Sequence, residues 1–394
     1  MPESWKNWSG GIACEPGSIA APAHEAEVLG LVRLAAASGQ TVRVVGTGHS
    51  SMPLVTTDGG IMVSLARMQG LLGVDETIPA ATFRGGTKIW TIGDPLLERG
   101  YSMITMGDID RQAIAGALGT ATHGTGRSLG NISSALVQVR MVTGSGELIE
   151  FDAQSDPETF PAIRVSLGAL GIITAATIRV LPAYRLHEKV ERVPMDTCMA
   201  KLEEHIASNR HFEFFWHPPE DVAEMKMLNP TEDGPEAVAD REGERIGWSP
   251  HIIPSVRERR FHEMEYAIPA EHGPECFARV RERMRDKHPD VGWPVEYRTV
   301  APDDAYLSPH GGRDSVTISI HQAARLPYED FFFDIEPIFR EYGGRPHWGK
   351  VNSLGRDELR SLYPQWDAFE RVRDRLDPGG VMLNPYLRGL FVSG

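Results

Sequence analysis

The sequence contains few cysteines, no long apolar run and no excess of positive charge. Cys14, Cys198 and Cys276 are the only cysteines among 394 residues. They lie too far apart for a C-x-x-C metal or redox motif, and an odd, sparse set argues against a disulfide framework. No segment approaches about 18 consecutive apolar residues, and the amino terminus has no apolar signal region. We therefore expect a soluble, cytoplasmic protein that does not bind membranes.

Negative charge is in excess, with 54 Asp and Glu against 40 Lys and Arg and a formal net charge of −14. Such a surface repels nucleic-acid phosphates and anionic lipid, so we expect neither as a partner. Local arginines can still bind a small anion. No His, Asp or Glu set has the sequence spacing of metal ligands, so we predict no metal site. We expect a monomer that acts on a small molecule.

The distribution of β-branched and amphipathic segments predicts an α+β fold of two lobes, since 394 residues exceed what one core usually supports. Strands are predicted in the first part at 41–46, 60–65, 134–143 and 172–181, with helices at 24–38 and 89–101. After a rise in charge at 181–194, strands and amphipathic helices alternate, and residues 218–250 are predicted to form a polar loop. We place the domains at residues 10–183, 184–340 and 341–394.

A glycine turn follows the first predicted strand. In VRVVGTGHSS, Gly46, Thr47 and Gly48 precede His49. Two glycines around a threonine allow positive φ angles and can point successive N–H groups at one anion. The segment lacks G-x-G-x-x-G and a downstream acid, which excludes a dinucleotide-binding Rossmann motif. Alone, the turn is equally consistent with an ordinary strand-to-loop connection.

Two further segments combine glycine with small residues and threonine. MGDIDRQAIAGALGTATHGTG spans 106–126, and SLGALGIITAATIRV spans 166–180. Small residues let a planar ligand approach the backbone, and free N–H groups and threonine hydroxyls can bind pyrophosphate oxygens. Three such loops in one lobe predict a site for a large phosphate-bearing ligand.

These three segments resemble the FAD-binding domain of the vanillyl-alcohol oxidase superfamily, in its sugar-lactone and alditol oxidase branch. GTGHS, GDIDRQAIAGA, THGTG and GALGIIT match that branch, as do EYRTV (296–300), RPHWGK (345–350) and DPGGVMLNPYL (377–387). Ser51 departs from it, because the branch often has an aromatic residue there. The resemblance spans roughly residues 10 to 390. It implies a two-lobed FAD-binding domain, a cap domain whose antiparallel sheet is covered by helices, and a carboxy-terminal segment that returns to the FAD site.

The resemblance also implies the cofactor and how it is held. FAD is expected to be bonded through its 8α-methyl carbon to His49, and such a link typically makes flavin a stronger oxidant. The alternative for His49 is a turn histidine that bonds the backbone. For His123, loop organisation and flavin contact remain equally open. The cofactor-binding residues implied are Gly46, Thr47, Gly48, His49, Ser50, Ser51, Gly107, Asp108, Ala113, Gly116, Ala117, Gly119, Thr120, Thr122, His123, Gly124, Gly171, Ile173 and Asn384.

The substrate-facing residues are carried over in the same way. Glu296, Arg298 and Lys350 are implied to be catalytic, and the residues implied to line the substrate site are Asp108, His321 and His347. Glu296 and Arg298 alternate on a predicted strand and so point to one face. The alternative for them is a structural ion pair. Lys350 would stabilise negative charge on reduced flavin.

The expected reaction is hydride transfer from a hydroxyl-bearing carbon to flavin, followed by reoxidation with dioxygen to give hydrogen peroxide. A dehydrogenase that uses a cytochrome or quinone is the alternative. The resemblance favours an oxidase, because Gly107 matches a position near the flavin edge where a glycine leaves room for oxygen and a side chain tends to block it. The substrate is expected to be a polyol, a sugar lactone, or another ribose-like primary alcohol such as a nucleoside. Glu296, Arg298 and Lys350 together argue against a non-catalytic FAD-binding protein.

Overall fold

The structure is a computed structural model that describes residues 4–255 and 259–392. The final two residues of the predicted 341–394 segment lie outside this range. None of the described helices is both long enough and apolar enough to cross a membrane.

The chain begins with a hairpin and a small parallel sheet. The strands are β1 (Trp5–Lys6), β2 (Ala13–Cys14), β3 (Ser18–Ala20), β4 (Val42–Val45) and β5 (Ile61–Ser64). The parallel sheet has the order β3-β5-β4. Helix α1 (Glu25–Ser38) buries Val28, Val32 and Ala35 in the same cluster as the strands, because their spacing places them on one helical face. Gly39, with φ 68°, ends the helix in the left-handed conformation. The predictions of α1, β4 and β5 are confirmed.

A six-stranded antiparallel sheet follows. Its strands are β6 (Leu71–Asp75), β7 (Ala80–Arg84), β8 (Tyr101–Met103), β9 (Leu136–Thr143), β10 (Leu148–Asp152) and β11 (Gly171–Pro182). Their order is β10-β9-β11-β7-β6, and β8 pairs with the end of β11. The short helices of this part are α2 (Gly93–Leu97), α3 (Ile114–Gly119) and α4 (Phe160–Arg164). Helix α3 packs against β11, so the glycine-rich segment around it lies beside this sheet.

An eight-stranded antiparallel sheet dominates the second half. Its strands are β12 (Arg185–Pro194), β13 (His211–His217), β14 (Val222–Thr231), β15 (Glu244–Trp248), β16 (Phe261–Pro269), β17 (Val295–Val300), β18 (Ser315–Ala323) and β19 (Arg345–Pro346). They lie in the order β15-β12-β14-β13-β17-β18-β16-β19. The helices are α5 (Met195–Ala200), α6 (Leu202–Ser208), α7 (Ser249–Ile252), α8 (Gly273–Lys287), α9 (Glu329–Glu341), α10 (Arg356–Leu362), α11 (Trp366–Leu376) and α12 (Pro385–Phe391).

The two faces of this sheet differ in chemistry because side chains alternate along each strand. On one face Tyr297 stacks on Phe214 with ring centroids 4.9 Å apart, and Phe277 of α8 packs edge-on against both. The opposite face carries Glu296 and Arg298, which are nevertheless buried. The segment around Gly107 to His123 in the first half of the chain lies over this face and forms a polar space with the sheet.

The glycine-rich segment is fixed directly to this sheet. The Thr125 hydroxyl donates to the carbonyl of Phe212 on β13. Gly126 N–H donates to Thr299 O on β17 at 2.8 Å. An added Cβ at Gly126 would lie 2.6 Å from Arg210 O, so only glycine permits this approach. The loop expected near the cofactor is thus held against the strand that carries Glu296 and Arg298.

The carboxy-terminal segment closes against the first half. Val42 N–H donates to Val381 O at 2.8 Å. Asn384 caps α12 by accepting from Leu387 N–H and donates to the carbonyls of Pro53 and Thr56. These contacts return the chain end to the segment that follows β4.

Some predictions were wrong. Residues 218–250 hold β14 and β15 rather than a loop, because β14 is paired along its whole length with β12. The helix expected at 89–101 is broken into a 3-10 turn (Ile89–Thr91) and the short helix α2, and Gly100, with φ 77°, leads into β8. The predicted boundary between 183 and 184 falls between β11 and β12, which belong to different sheets. The assignment of domains stays a prediction.

Candidate active site

A cavity of about 590 Å³ lies between the polar face of the eight-stranded sheet and the segment 107–123. It brings together all six residues predicted as catalytic or substrate-binding, which are Asp108, Glu296, Arg298, His321, His347 and Lys350. Gly107, Thr122 and His123 line it from the glycine-rich segment. Four separate stretches of sequence therefore meet at one place.

Arg298 is shared between two carboxylates. Its Nε donates to Glu213 at 2.8 Å, and its Nη2 donates to Glu296. Lys226 Nζ lies 3.3 Å from the other oxygen of Glu213. Burial would raise the pKa of Glu213, but Lys226 and Arg298 lower it. Burial raises the pKa of Glu296 to about 7, with Glu213 and Asp108 adding to the effect and Arg298 opposing it. Glu296 is thus the carboxylate of this group that changes charge near neutral pH.

Lys350 and His321 meet at Glu263. Lys350 Nζ donates to one oxygen of Glu263, and His321 Nε2 lies 3.5 Å from the other. His321 Nδ1–H donates to Pro294 O at 2.8 Å, which fixes the ring. Burial disfavours the ammonium, yet Glu263 and Glu265 raise the pKa of Lys350. Lys350 therefore provides a fixed positive charge at the cavity wall.

Glu263, Glu296 and His321 also have ligand atoms within 4.8 Å of one another, the geometry of a possible metal site. Sequence spacing gave no sign of this group, because its members come from three different strands. The ammonium of Lys350 already neutralises Glu263. Within this group of three residues, the carboxylate of Glu263 is therefore already paired with a side-chain cation.

A second acidic strand position, Glu265, binds a histidine at the cavity wall. Glu265 accepts from His123 Nε2 at 3.0 Å and from Ser319 Oγ at 2.6 Å. His123 Nδ1 faces Gly124 O at 2.8 Å, so both ring nitrogens face acceptors. Burial would raise the pKa of Glu265, but His123 keeps it well below its usual value. His123 therefore forms a hydrogen bond to Glu265 of β16 and links the glycine-rich segment to the sheet.

His347 and His310 lie close to this pair. Gly349 N–H donates to His347 Nδ1 at 3.0 Å, so the ring proton of His347 is on Nε2. Burial lowers the pKa of His347 to about 4. The ring of His310 lies 5.0 Å from that of His123, and burial holds its pKa well below normal. His347 and His310 are therefore uncharged near neutral pH.

Asp108 lies in an ionic network rather than facing open solvent. Lys226 Nζ is 3.3 Å from its carboxylate, and Ser255 donates to it through both N–H and hydroxyl groups, to backbone and side-chain oxygens respectively. Lys226 also lies 3.8 Å from Glu188, which Arg245 binds through two nitrogens. The strand β14 that supplies Lys226 was missed in the sequence, and so was this network.

Two narrower cavities adjoin the large one. One, of about 120 Å³, is lined by Gly46 to Ser51 and shares Gln112, Thr122, Glu263, His347 and Lys350 with the large cavity. The other, of about 80 Å³, lies beyond it and shares Gly46, Ala113, Gly116 and Thr120 with the first. Gly119, Gly171 and Ile173 also line it. The three cavities form one trough from the glycine loops to the ionic site.

His49 lies in the middle of this trough, under Trp8. The two rings are 5.1 Å apart between centroids and inclined by 30°. Burial and the charges of Lys350, Lys88 and Arg111 lower the pKa of His49 to about 4. The imidazole is therefore neutral at physiological pH and has a nitrogen lone pair available.

The trough fits an extended dinucleotide with a flat ring system. In the described residues, the backbone N–H groups of Thr47, Gly48, His49 and Ser50 have no acceptor. The amide oxygen of Gln112, where the cavities join, is buried without a donor among those residues. An added Cβ at Gly46 would come within 3.3 Å of Ala113 Cβ, so side chains here would narrow the trough. Unused donors and glycine walls are what a pyrophosphate and a planar ring require.

Three predicted cofactor residues do not line these cavities. Ala117 is packed in the hydrophobic core, and Gly124 presses against the Met106 carbonyl. Asn384 is occupied as a helix cap. Conversely, Glu263, Glu265, Glu213 and Lys226 were missed. From Glu263 onward the sequence HEMEY (262–266) alternates charged and apolar residues, and this signal could have pointed to Glu263 and Glu265, whereas Glu296 and Arg298 came from the resemblance.

The chain is similar to known proteins over its full length. Residues 176–248 and 238–390 match the family described as D-arabinono-1,4-lactone oxidase, and residues 16–152 match the FAD binding domain family. L-gulono-1,4-lactone dehydrogenase of Mycobacterium tuberculosis is 36% identical over 98% of this chain and 99% of its own. L-gulonolactone oxidase of Mus musculus is 27% identical over 98% of each chain. A solvent-stable cholesterol oxidase superposes with a TM-score of 0.88 at 18% identity, covering 99% of this chain and 98% of its own. These matches confirm the predicted fold class.

Proposed function

Because this chain belongs to the D-arabinono-1,4-lactone oxidase family, in the sugar-lactone branch of the vanillyl-alcohol oxidase superfamily, we propose that it oxidises a hydroxyl-bearing carbon of a sugar lactone or a related polyol. The protein is an FAD-binding oxidoreductase by family. The observation that supports the substrate proposal is the junction of the His49 cavity with a cavity that presents Glu296, Arg298 and Lys350. We place this activity in a cytoplasmic monomer.

The charges of the cavity favour a neutral, hydroxyl-rich substrate. Its wall carries the carboxylates of Asp108, Glu263, Glu265 and Glu296 beside the cations Arg298, Lys350 and Arg259. Ionised carboxylates accept hydrogen bonds from hydroxyl groups and repel a substrate that carries a carboxylate of its own. A lactone is uncharged, whereas the aldonate formed by its hydrolysis is an anion, so the closed ring is the preferred form.

The residues divide the chemistry between them. FAD, when bound, would supply the two-electron acceptor for a hydride from the carbinol carbon. Glu296, with a pKa of about 7, accepts the hydroxyl proton, since a base with a pKa near the working pH is the most effective. Arg298 orients Glu296 and can bind a neighbouring substrate oxygen. Lys350 keeps a positive charge where negative charge develops.

A panel of L-gulono-1,4-lactone, D-arabinono-1,4-lactone, their aldonates, xylitol, sorbitol and a nucleoside tests this. Under anaerobic conditions we expect a lactone or polyol to bleach the flavin absorbance and the matched aldonates to leave it unchanged. If no member bleaches the flavin, or if only the aldonates or the nucleoside do, the substrate proposal fails.

We further propose that His49 holds FAD covalently. The neutral imidazole supplies the nitrogen, and the trough places it beside the ligand space. The new bond joins an imidazole nitrogen to the flavin methyl carbon. One hydrogen leaves each partner, and these two protons and two electrons pass to dioxygen as hydrogen peroxide. Acid-precipitated protein should retain its yellow colour and an added mass of one FAD, and His49→Ala should release it. Free flavin in the wild-type supernatant would refute the bond.

The electron acceptor we propose for turnover is dioxygen, since Gly107 places no side chain at the cavity wall. A dehydrogenase is the second candidate, because the relative that is 36% identical bears that name. One peroxide for each lactone oxidised in air supports the oxidase. Turnover that requires ferricytochrome c or a quinone, with no peroxide, supports the dehydrogenase.

A further inference from the structure

We propose that the amino-terminal hairpin, residues 5–14, orients His49 for its bond to FAD and that Trp8 is the positioning residue. The inference rests on the proposed covalent attachment and assigns a role to a segment outside all three cofactor loops. It begins with the hairpin strands β1 and β2, which pair Trp5 with Cys14 and Lys6 with Ala13.

The hairpin holds the backbone on both sides of His49. Trp8 N–H donates to Gly48 O at 2.7 Å, and Asn7 Nδ2 donates to Ser50 O at 3.0 Å. Two consecutive hairpin residues thus bind the carbonyls that flank the histidine. The loop cannot rotate as a unit without breaking both hydrogen bonds.

The hairpin itself is rigid at this point. Asn7 is 5% exposed, its Oδ1 accepts from Ile12 N–H at 3.0 Å, and its own N–H donates to Ile12 O. Trp5 packs on the loop so closely that a Cβ at Gly48 would lie 2.8 Å from its ring. Gly48 has φ +68°, so glycine is required there both for conformation and for space.

Trp8 restricts the imidazole itself. Its indole lies 5.1 Å from the His49 ring on one side and packs edge-on against Phe261 of β16, 5.3 Å away. Phe261 also lines both the large cavity and the adjoining cavity that contains His49. Trp8 therefore couples the histidine to the eight-stranded sheet. A ring held in one orientation reacts faster than a freely rotating one, and misplacement by about 1 Å can slow a reaction by about 10²-fold.

The alternative is that the hairpin only stabilises the fold. The two roles differ in what they change. A positioning role predicts slow bond formation in protein that still binds FAD in the glycine-lined cavities. A stabilising role predicts loss of folded protein without a specific effect on attachment.

The test compares Trp8→Ala with Trp8→Phe and with Trp248→Ala, a control on β15 whose ring packs on Arg185. Each full-length protein, expressed under riboflavin depletion, is incubated with FAD in air and acid-precipitated at intervals. Acid-stable flavin gives the attachment rate, total bound FAD gives occupancy, and urea unfolding gives stability. We expect roughly 10-fold slower attachment in Trp8→Ala at full occupancy, and a rate near wild type in Trp8→Phe and Trp248→Ala.

Wild-type attachment in Trp8→Ala would overturn the inference, as would an equal slowing in a Trp248→Ala protein of similar stability loss. Should Trp8→Ala fail to fold, Asn7→Asp decides, because it keeps the acceptor for Ile12 N–H and removes the donor to Ser50. Slow attachment in that variant supports positioning, and an unchanged rate contradicts it. If the wild type attaches no FAD at all, the covalent proposal itself has failed.

Discussion

The guanidinium of Arg298 contacts Glu296, two residues earlier on β17, from the same face of the sheet. It also binds Glu213, whose second oxygen faces Lys226. Glu213 therefore contacts two cations, whereas Glu296 contacts one. The proton is consequently held more tightly by Glu296, which gives the cavity a base that titrates near neutral pH.

The pH dependence of flavin reduction should report this base. In the proposed reaction Glu296 accepts a proton and so must be ionised, and burial raises its pKa to about 7. The rate should fall about tenfold for each pH unit below 7 and reach a plateau above it. Anaerobic stopped-flow reduction between pH 5 and 9 measures this, and Glu296→Gln should lose both the rate and the inflection. A flat profile in the wild type would remove Glu296 as the base.

Substitution of Asp108 separates two roles for that residue. Its negative charge raises the pKa of Glu296, after the larger effects of burial and Glu213. Asp108→Asn keeps the size of the side chain and removes the charge, so the midpoint of the pH profile should move to lower pH. An unchanged midpoint with a higher substrate KM would indicate that Asp108 contacts the substrate and leaves Glu296 unaffected.

Replacing Lys350 should slow flavin reduction far more than replacing a lysine on the surface. Lys350→Met removes a partly buried cation that lines two of the cavities. We expect flavin reduction to slow by roughly 10²-fold, or about 3 kcal/mol, at full FAD content. Lys189→Met, which breaks an exposed pair with Glu191, is the matched control and should reduce at the wild-type rate. Equal rates in both variants would contradict the placement of Lys350 at the reacting centre.

Sequence patterns predicted the elements whose periodicity is local. Helix α1 and strand β17 were found because apolar spacing and alternation are visible within one segment. The resemblance supplied Asp108, Glu296, Arg298 and Lys350, which the structure brings to one cavity. Strand β14 was missed because its neighbours β12 and β13, and not its own composition, make it a strand.

The ionic partners could not be predicted for a related reason. Glu263, Glu213 and Lys226 become significant through contacts with residues distant in sequence. Among these are Lys350, Arg298 and Asp108, which lie 85 or more positions from their respective partners. A single sequence shows which residues can ionise, but sheet order decides which of them meet. The order β14-β13-β17-β18-β16 places their acids and bases side by side.

Gly107→Ala tests the proposal that dioxygen is the electron acceptor, but the added methyl group also contacts the neighbouring loop. The added methyl would lie 3.3 Å from both His123 O and Thr122 Cγ2, so it presses on the segment that lines the cavity. We expect reoxidation of reduced enzyme by air to slow, while anaerobic reduction by substrate stays within a few-fold of wild type. If reduction slows as much as reoxidation, the loop has shifted and the methyl group does not act on oxygen alone.

Arg43 should be a major determinant of stability. It is 1% exposed, and its guanidinium donates to the carbonyls of Leu54, Gly168, Leu167 and Met382, which joins β4 to two distant segments. A buried carbonyl that loses its donor costs about 1–3 kcal/mol, so Arg43→Met should lower the free energy of unfolding by roughly 3 kcal/mol or more. Arg43→Lys keeps the charge but loses the planar guanidinium, so its free energy of unfolding should lie between those of the wild type and Arg43→Met. Urea unfolding of FAD-saturated protein measures the loss of stability. Arg67→Met is the control, because Arg67 donates to Ala21 O in an exposed hydrogen bond. This substitution should change the free energy of unfolding by less than about 0.5 kcal/mol. A loss in Arg43→Met no larger than in that control would show that the four carbonyls are satisfied without it.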